Sequence, residues 1–169
     1  MLLVSYPMTE KSQSTNILKY MPEPTFPPPE KPAEIQNLGP FDMQYFQELE
    51  GENGWIALGQ ENCLNQQYFT VYATDGSKLG IAGVYDTADG SNTTHIVVDK
   101  KYRGQGLAAK FYQRLLNDLR LPFVAITIDL DNTASIRAAK KLPNVEKVSD
   151  EQYERDFHKV KYIYKKPQE

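Results

Sequence analysis

The chain of 169 residues holds a single cysteine, Cys63, and only two histidines, His95 and His158. One thiol cannot close an intramolecular disulfide, and ligands this few and this far apart make neither a thiolate site nor a metal constellation, so no metal is expected. A reducing setting fits that scarcity, and the sequence reads as cytoplasmic. No apolar run approaches membrane-spanning length, and the opening "MLLVSYPM" lacks the basic start and unbroken apolar stretch of a signal peptide. A strong excess of one charge is missing as well. A net charge of -3 and a pI near 5.5 argue against a surface built to track nucleic acid.

What is present is globular composition, 40% hydrophobic and 24% charged, at a length suited to one domain. Seven of the 11 prolines fall in residues 1–32, and "MPEPTFPPPEKP" cannot supply the backbone donors of a regular element. Residues 1–32 therefore read as a proline-rich N-terminal arm, a spacer or a docking peptide. Tyr6, Ile17, Leu18, Tyr20 and Phe26 are available to pin it to the body or to a second copy in a homodimer. Residues 33–169 read as the domain proper.

From Ala33 the pattern is regular. "AEIQNL" reads as a short strand and "FDMQYFQELE" as a helix with Phe41, Tyr45, Phe46 and Leu49 on one side. "GWIALGQENCLNQ" allows a second short helix. Aromatic and β-branched residues divided by Asp75-Gly76 and Asp89-Gly90 then predict three antiparallel strands, at about 67–73, 78–86 and 93–98. Leu107, Ala108, Phe111, Tyr112, Leu115, Leu116 and Leu119 form a helical stripe. "FVAITIDL" alternates as a strand and "TASIRAAKKL" is a short helix. "VEKVS", a polar loop "DEQYERDF" and "KVKYIYKK" read as a closing hairpin. The order β-α-α-β-β-β-α-β-α-β-β is that of a mixed α/β sheet with helices on both faces.

Between the third of those strands and the long helix lies "DKKYRGQGLA". Glycines and cations at a helix start suit a phosphate, because helix N-termini offer unpaired N–H groups and partial positive charge, and glycine lets the ligand come close. Gly104, Gly106 and Ala109 fit a dinucleotide-binding turn, with Asp129 about where a ribose-binding acid belongs. Against this, five residues from Asp99 to Arg103 separate the strand from the first glycine. The tight hairpins before it do not read as the opening of a parallel βαβ unit.

The alternative is a pyrophosphate loop. Arg103-Gly104-Gln105-Gly106-Leu107-Ala108 matches Arg/Gln-x-x-Gly-x-Gly/Ala, and this resembles motif A of the GNAT superfamily of N-acetyltransferases. "NTASIRAAKKL" is similar to the family's Asn-x-x-Ala/Ser helix start, here Asn132 and Ser135. The resemblance covers about residues 33–166 in element order. It implies a mostly antiparallel sheet of about seven strands, splayed between strands 4 and 5, that binds acetyl-CoA as acyl donor. The backbone of Ile96, Val97 and Val98 would meet the pantetheine arm, and Arg103, Gly104, Gln105, Gly106, Leu107 and Ala108 the diphosphate. Asn132 and Ser135 would meet the arm from the other side, although capping alone explains Asn132. The chain departs from the family at Ala139, where a tyrosine that protonates the leaving thiolate usually stands, and in "KKLPN", where Glu-Lys-x-Gly-Phe usually follows.

The implied reaction is acetyl transfer from acetyl-CoA to a primary amine on a small molecule or peptide, or, with Ala139, acyl-CoA binding without catalysis. His95 is the candidate base, with Asp129 and Asp131 behind it, and Tyr153, Tyr162 and Tyr164 in the closing hairpin are candidate acids. Half-buried packing explains His95 equally well. Glu48, Glu50 and Glu52 could favour a cationic acceptor, or simply solvate a helix end.

Overall fold

The computed structural model describes residues 33–49, 61–88 and 90–166. Its elements are β1 Ile35–Gly39, α1 Met43–Glu48, β2 Leu64–Ala73, β3 Lys78–Thr87, β4 Gly90–Val98, a 3-10 turn Lys100–Tyr102, α2 Leu107–Asp118, β5 Phe123–Asp129, α3 Thr133–Lys140, β6 Val145–Lys147, α4 Glu151–Phe157 and β7 Lys159–Lys165. The seven strands form one open sheet in the order β1-β2-β3-β4-β5-β7-β6. Neighbours are antiparallel except β4 and β5, which run parallel.

The period-2 alternation of the strands divides the core between two faces. On one face α2 lays Leu107, Phe111, Tyr112, Leu115 and Leu116 against Val71, Val84, Val124, Ile126, Tyr162 and Tyr164, and Ala139 of α3 joins them. On the other, α1 brings Tyr45 and Phe46, with Leu49 just beyond it, onto Tyr68, Ile81 and Val97. A bulge lets β3 serve both: Val71 pairs with Gly80 but Tyr72 with Lys78, which leaves Leu79 as the extra residue. Leu79 therefore faces α2 while Ile81 faces α1. Gly80 sits in that bulge at φ +154, and a Cβ there would run into the Val97 carbonyl.

Three expectations change. "DEQYERDF" is a helix rather than a loop. Asp150 caps α4 by accepting from the Tyr153 N–H at 2.8 Å, and Glu151 and Glu154 sit in the acidic first turn that a helix N-terminus favours. Leu64–Gln66, allowed as helix, open β2 instead. The glycine loop does lie in one parallel βαβ crossover, because β4, α2 and β5 are consecutive and β4 and β5 are parallel neighbours. Glu61 and Asn62 of that second-helix segment lie in a turn, and its residues 54–60, the arm, Glu50 and Glu52 lie outside the described residues. Among the described residues no helix is long and apolar enough to cross a membrane.

Candidate functional site

The site begins where the sheet comes apart. β4 and β5 are paired at one position, Thr93 with Ala125, and beyond it β5 keeps pairing with β7 while β4 keeps pairing with β3. A clamp closes the root of the gap. Thr94 Oγ1 donates to the Ala125 carbonyl at 2.9 Å, fully buried.

Further along β4, the Asp99 N–H donates to the Leu79 carbonyl at 2.9 Å and the Val97 carbonyl lies against Gly80. Those residues face β3, so the alternation of the strand turns the N–H and C=O groups of Ile96 and Val98 toward the gap. The Val98 carbonyl is met there by Arg103 Nε at 3.0 Å. Of the three residues expected to offer backbone to an extended ligand arm, two present it to the gap and Val97 is spent in the ladder.

The glycine loop stands at the mouth of this gap. Asp99 starts the 3-10 turn by accepting from the Lys101 N–H, and its other oxygen receives the Tyr45 hydroxyl at 3.2 Å, which ties α1 to the loop. Gly104 and Gly106 follow at φ +81 and +73, the left-handed region that glycine tolerates. A Cβ on either would meet nothing within 4 Å. Gly106 is the N-cap of α2 and, having no side chain, leaves the helix start without a side-chain cap. Gln105 turns inward: its Oε1 accepts from the Ala33 N–H at 2.9 Å, while its buried Nε2 has no hydrogen-bond partner among the described residues. Open space over two glycines and an uncapped helix start are what an anionic diphosphate would complete.

α3 starts at the same end of the sheet, after β5. Asn132 Oδ1 accepts from the Ser135 N–H at 3.1 Å, so the asparagine caps its own helix. That bond uses the oxygen of the side chain and leaves its amide nitrogen outside the cap. Ala139 is fully buried against the α2 side of the core, so no hydroxyl is available at that position.

His95 lies on the α1 face of β4. Tyr68, Gly83 and His95 stand opposite one another in a row across β2, β3 and β4. Because Gly83 has no side chain, the Tyr68 ring occupies the space above it and its hydroxyl reaches His95 Nδ1 at 2.8 Å. Tyr85 packs against the imidazole at 4.5 Å between ring centroids. Burial, reinforced by the nearby charge of Lys159, lowers the His95 pKa from 6.5 to about 4. The ring is neutral at pH 7. Accepting a proton from an alkylammonium with a pKa of about 10.4 would cost a group this weak on the order of 9 kcal/mol.

The other acid–base candidates do not all converge on it. Tyr153 sits on α4 rather than in a hairpin, stacks on Phe157 at 4.8 Å, and acts electrostatically on the Tyr85 phenol. Tyr162 is buried on the opposite face, among the residues that pack under α2. Asp129 lies 3.8 Å from Lys159 Nζ, and Asp131 is 3.1 Å from His158 Nε2, both at the exposed end of β5. Glu48 accepts from Gln44 Nε2 at 3.2 Å on the exposed side of α1. Sequence reasoning missed Tyr68, Tyr85, Thr94 and Lys159. A strand glycine flanked on both neighbouring strands by ring-bearing residues was the available signal, but it becomes visible only once the register is known.

Comparison with known proteins gives the family and the fold. Residues 16–143 match the family model "Acetyltransferase (GNAT) domain", and the chain belongs to that family. A Bacillus subtilis acetyltransferase solved with CoA is 12% identical with a TM-score of 0.54, over 79% of this chain and 100% of that one. The Campylobacter jejuni N-acetyltransferase PseH, solved with acetyl coenzyme A, is 11% identical with a TM-score of 0.53, over 79% and 99%. An Agrobacterium tumefaciens acetyltransferase is 15% identical with a TM-score of 0.53, over 84% and 97%. At these identities the likeness is one of fold: a seven-stranded mixed sheet parted between β4 and β5. No curated protein sequence matches the chain significantly.

Proposed function

We propose that this protein is an acyl-CoA-dependent N-acyltransferase that moves an acetyl group from acetyl-CoA to a primary amine by direct attack. One observation carries the reading: two left-handed glycines facing open space at the uncapped start of α2, beside the parted strands. The diphosphate would meet the amides of residues 103–108. The pantetheine arm would run in the gap along Ile96 and Val98, with Asn132 and Ser135 at its other side. The thioester then arrives on the β4 wall that His95 shares.

There the amine nitrogen attacks the thioester carbonyl, its lone pair forming the new N–C bond. The C–S pair leaves with sulfur, and the thiolate takes a proton. A primary amine is about 3.4 pKa units too protonated at pH 7, a cost on the order of 4 to 5 kcal/mol, so a proton must leave first, through water or a nearby group. The Val98 backbone would meet the oxyanion. Tyr153 is the acid candidate that α4 brings toward the His95 cluster, whereas Tyr162 would have to act from the far face. The single cysteine favours a reducing, cytosolic setting; the proline-rich residues 1–32, of which those from residue 16 fall inside the family match, would be available for self-association.

A second reading, acyl-CoA binding without turnover, is favoured by the buried Ala139. Calorimetric titration with acetyl-CoA and thiol release with polyamines, aminoglycosides, amino acids and peptides separate the two. Binding with thiol release supports the enzyme, and binding alone supports the sensor. No binding at millimolar acetyl-CoA removes both.

A further inference from the structure

His95 has a hydrogen-bond partner on one ring nitrogen, Nδ1. Tyr68 meets Nδ1 at 2.8 Å from the β2 side, across the empty place at Gly83. The two nitrogens of an imidazole point to nearly opposite sides of the ring, so Nε2 is turned away from Tyr68, toward β5 and β7. The Lys159 charge also bears on the ring. A phenol facing an imidazole nitrogen is the better hydrogen donor, and the neutral ring then carries its own hydrogen on Nε2.

We propose that Tyr68 holds His95 as a neutral Nε2–H donor, and that His95 thereby recognises a carbonyl or carboxylate oxygen on the acceptor amine instead of serving as the base. This rests on the acyltransferase reading for the substrate, but the state of the ring does not. Tyr68, Tyr85 and Lys159 are the titratable groups bearing on the imidazole among the described residues. None is a carboxylate that would draw a second proton onto it. An acceptor whose amine neighbours an oxygen, such as an amino acid or a peptide N-terminus, finds a donor at Nε2. A polyamine finds a donor it cannot use.

Two histidines make the test direct. Nitrogen-15 NMR of histidine-labelled protein, with His158→Gln used to assign the signals, reads the tautomer of His95. The expected result is one neutral form with hydrogen on Nε2, unchanged between pH 5.5 and 8. Hydrogen on Nδ1, or titration near pH 6.5, overturns the proposal. In Tyr68→Phe the preference should relax toward a mixture; if it stays fixed, Tyr68 is not what sets it. Should that variant fail to fold, the wild-type spectrum decides alone.

In thiol-release assays, His95→Gln, whose amide donates but is not basic, should lose about 10-fold in kcat/KM, and His95→Ala about 100-fold. Equal losses point to a base and overturn the donor role. Glycine or a glycyl peptide should outrun spermidine, and the reverse order overturns the substrate class. If no amine releases thiol, the acyltransferase reading falls and the proposed recognition role falls with it; the NMR result still stands as a finding about the ring.

Discussion

Thr94 Oγ1 donates to the Ala125 carbonyl one residue past the position where β4 and β5 pair. Thr94→Val keeps the shape and removes the hydroxyl, stranding a buried carbonyl. The expected loss is about 1–3 kcal/mol in urea unfolding, together with weaker acetyl-CoA binding because the gap loses its fixed root. Thr94→Ser, which keeps the hydroxyl, should recover most of both. Wild-type stability in the valine variant would show that the clamp holds nothing.

Gly106→Trp places a large side chain in space that no protein atom occupies, so the sheet should be untouched while the loop is blocked. We expect far-UV circular dichroism like that of the wild type and at least about a 100-fold loss of acetyl-CoA affinity, beyond the 1–2 kcal/mol that a left-handed non-glycine residue costs. Gly76→Ala, at φ +83 in the β2–β3 turn with equal room, controls for backbone strain alone and should leave affinity unchanged. Undiminished binding in Gly106→Trp would contradict the site.

His95 also predicts an acid-sensitive fold. Its pKa is lowered on folding, so below 6.5 the unfolded chain takes up a proton that the folded chain refuses until about pH 4. The contribution is fully present above pH 6.5 and lost as pH falls to about 4, some 3 kcal/mol in all. Unfolding free energies measured at pH 7.5 and pH 4 should differ by about that much less in His95→Gln than in the wild type.

Gly83→Ala should be costly for a different reason. The Tyr68 ring fills the space a methyl group would need, so the ring must leave His95 or the strands must part. A loss of about 1–3 kcal/mol, with the His95 pKa moving from its wild-type value, is expected. A silent alanine would mean that the ring is not held there.

Much of the fold was legible because α2 is helically striped and β5 alternates, while β3, whose bulge turns Leu79 and Ile81 to opposite faces, was marked by its β-branched run and by the Asp75-Gly76 turn before it. α4 was not, because "EQYERDF" offers only Tyr153 and Phe157 on one side, neither of them buried, and lacks the longer apolar stripe that marks a buried helix; its clues were the Asp150 cap and the acidic first turn. Gly104 and Gly106 were legible because few chemistries want left-handed backbone at a helix start. The Thr94 clamp, the Tyr68 contact and the burial of Tyr162 on the far face were not, since each depends on which strands are neighbours and which side of the sheet a residue takes.

The helix that begins on Gly106 carries amide hydrogens that its own cap does not answer. Any small dianion in the buffer is therefore a competitor for the place. Phosphate or sulfate should raise the melting temperature of the free protein and make acyl-CoA compounds look like weaker ligands than they are, so salt identity becomes an experimental variable and not a background condition.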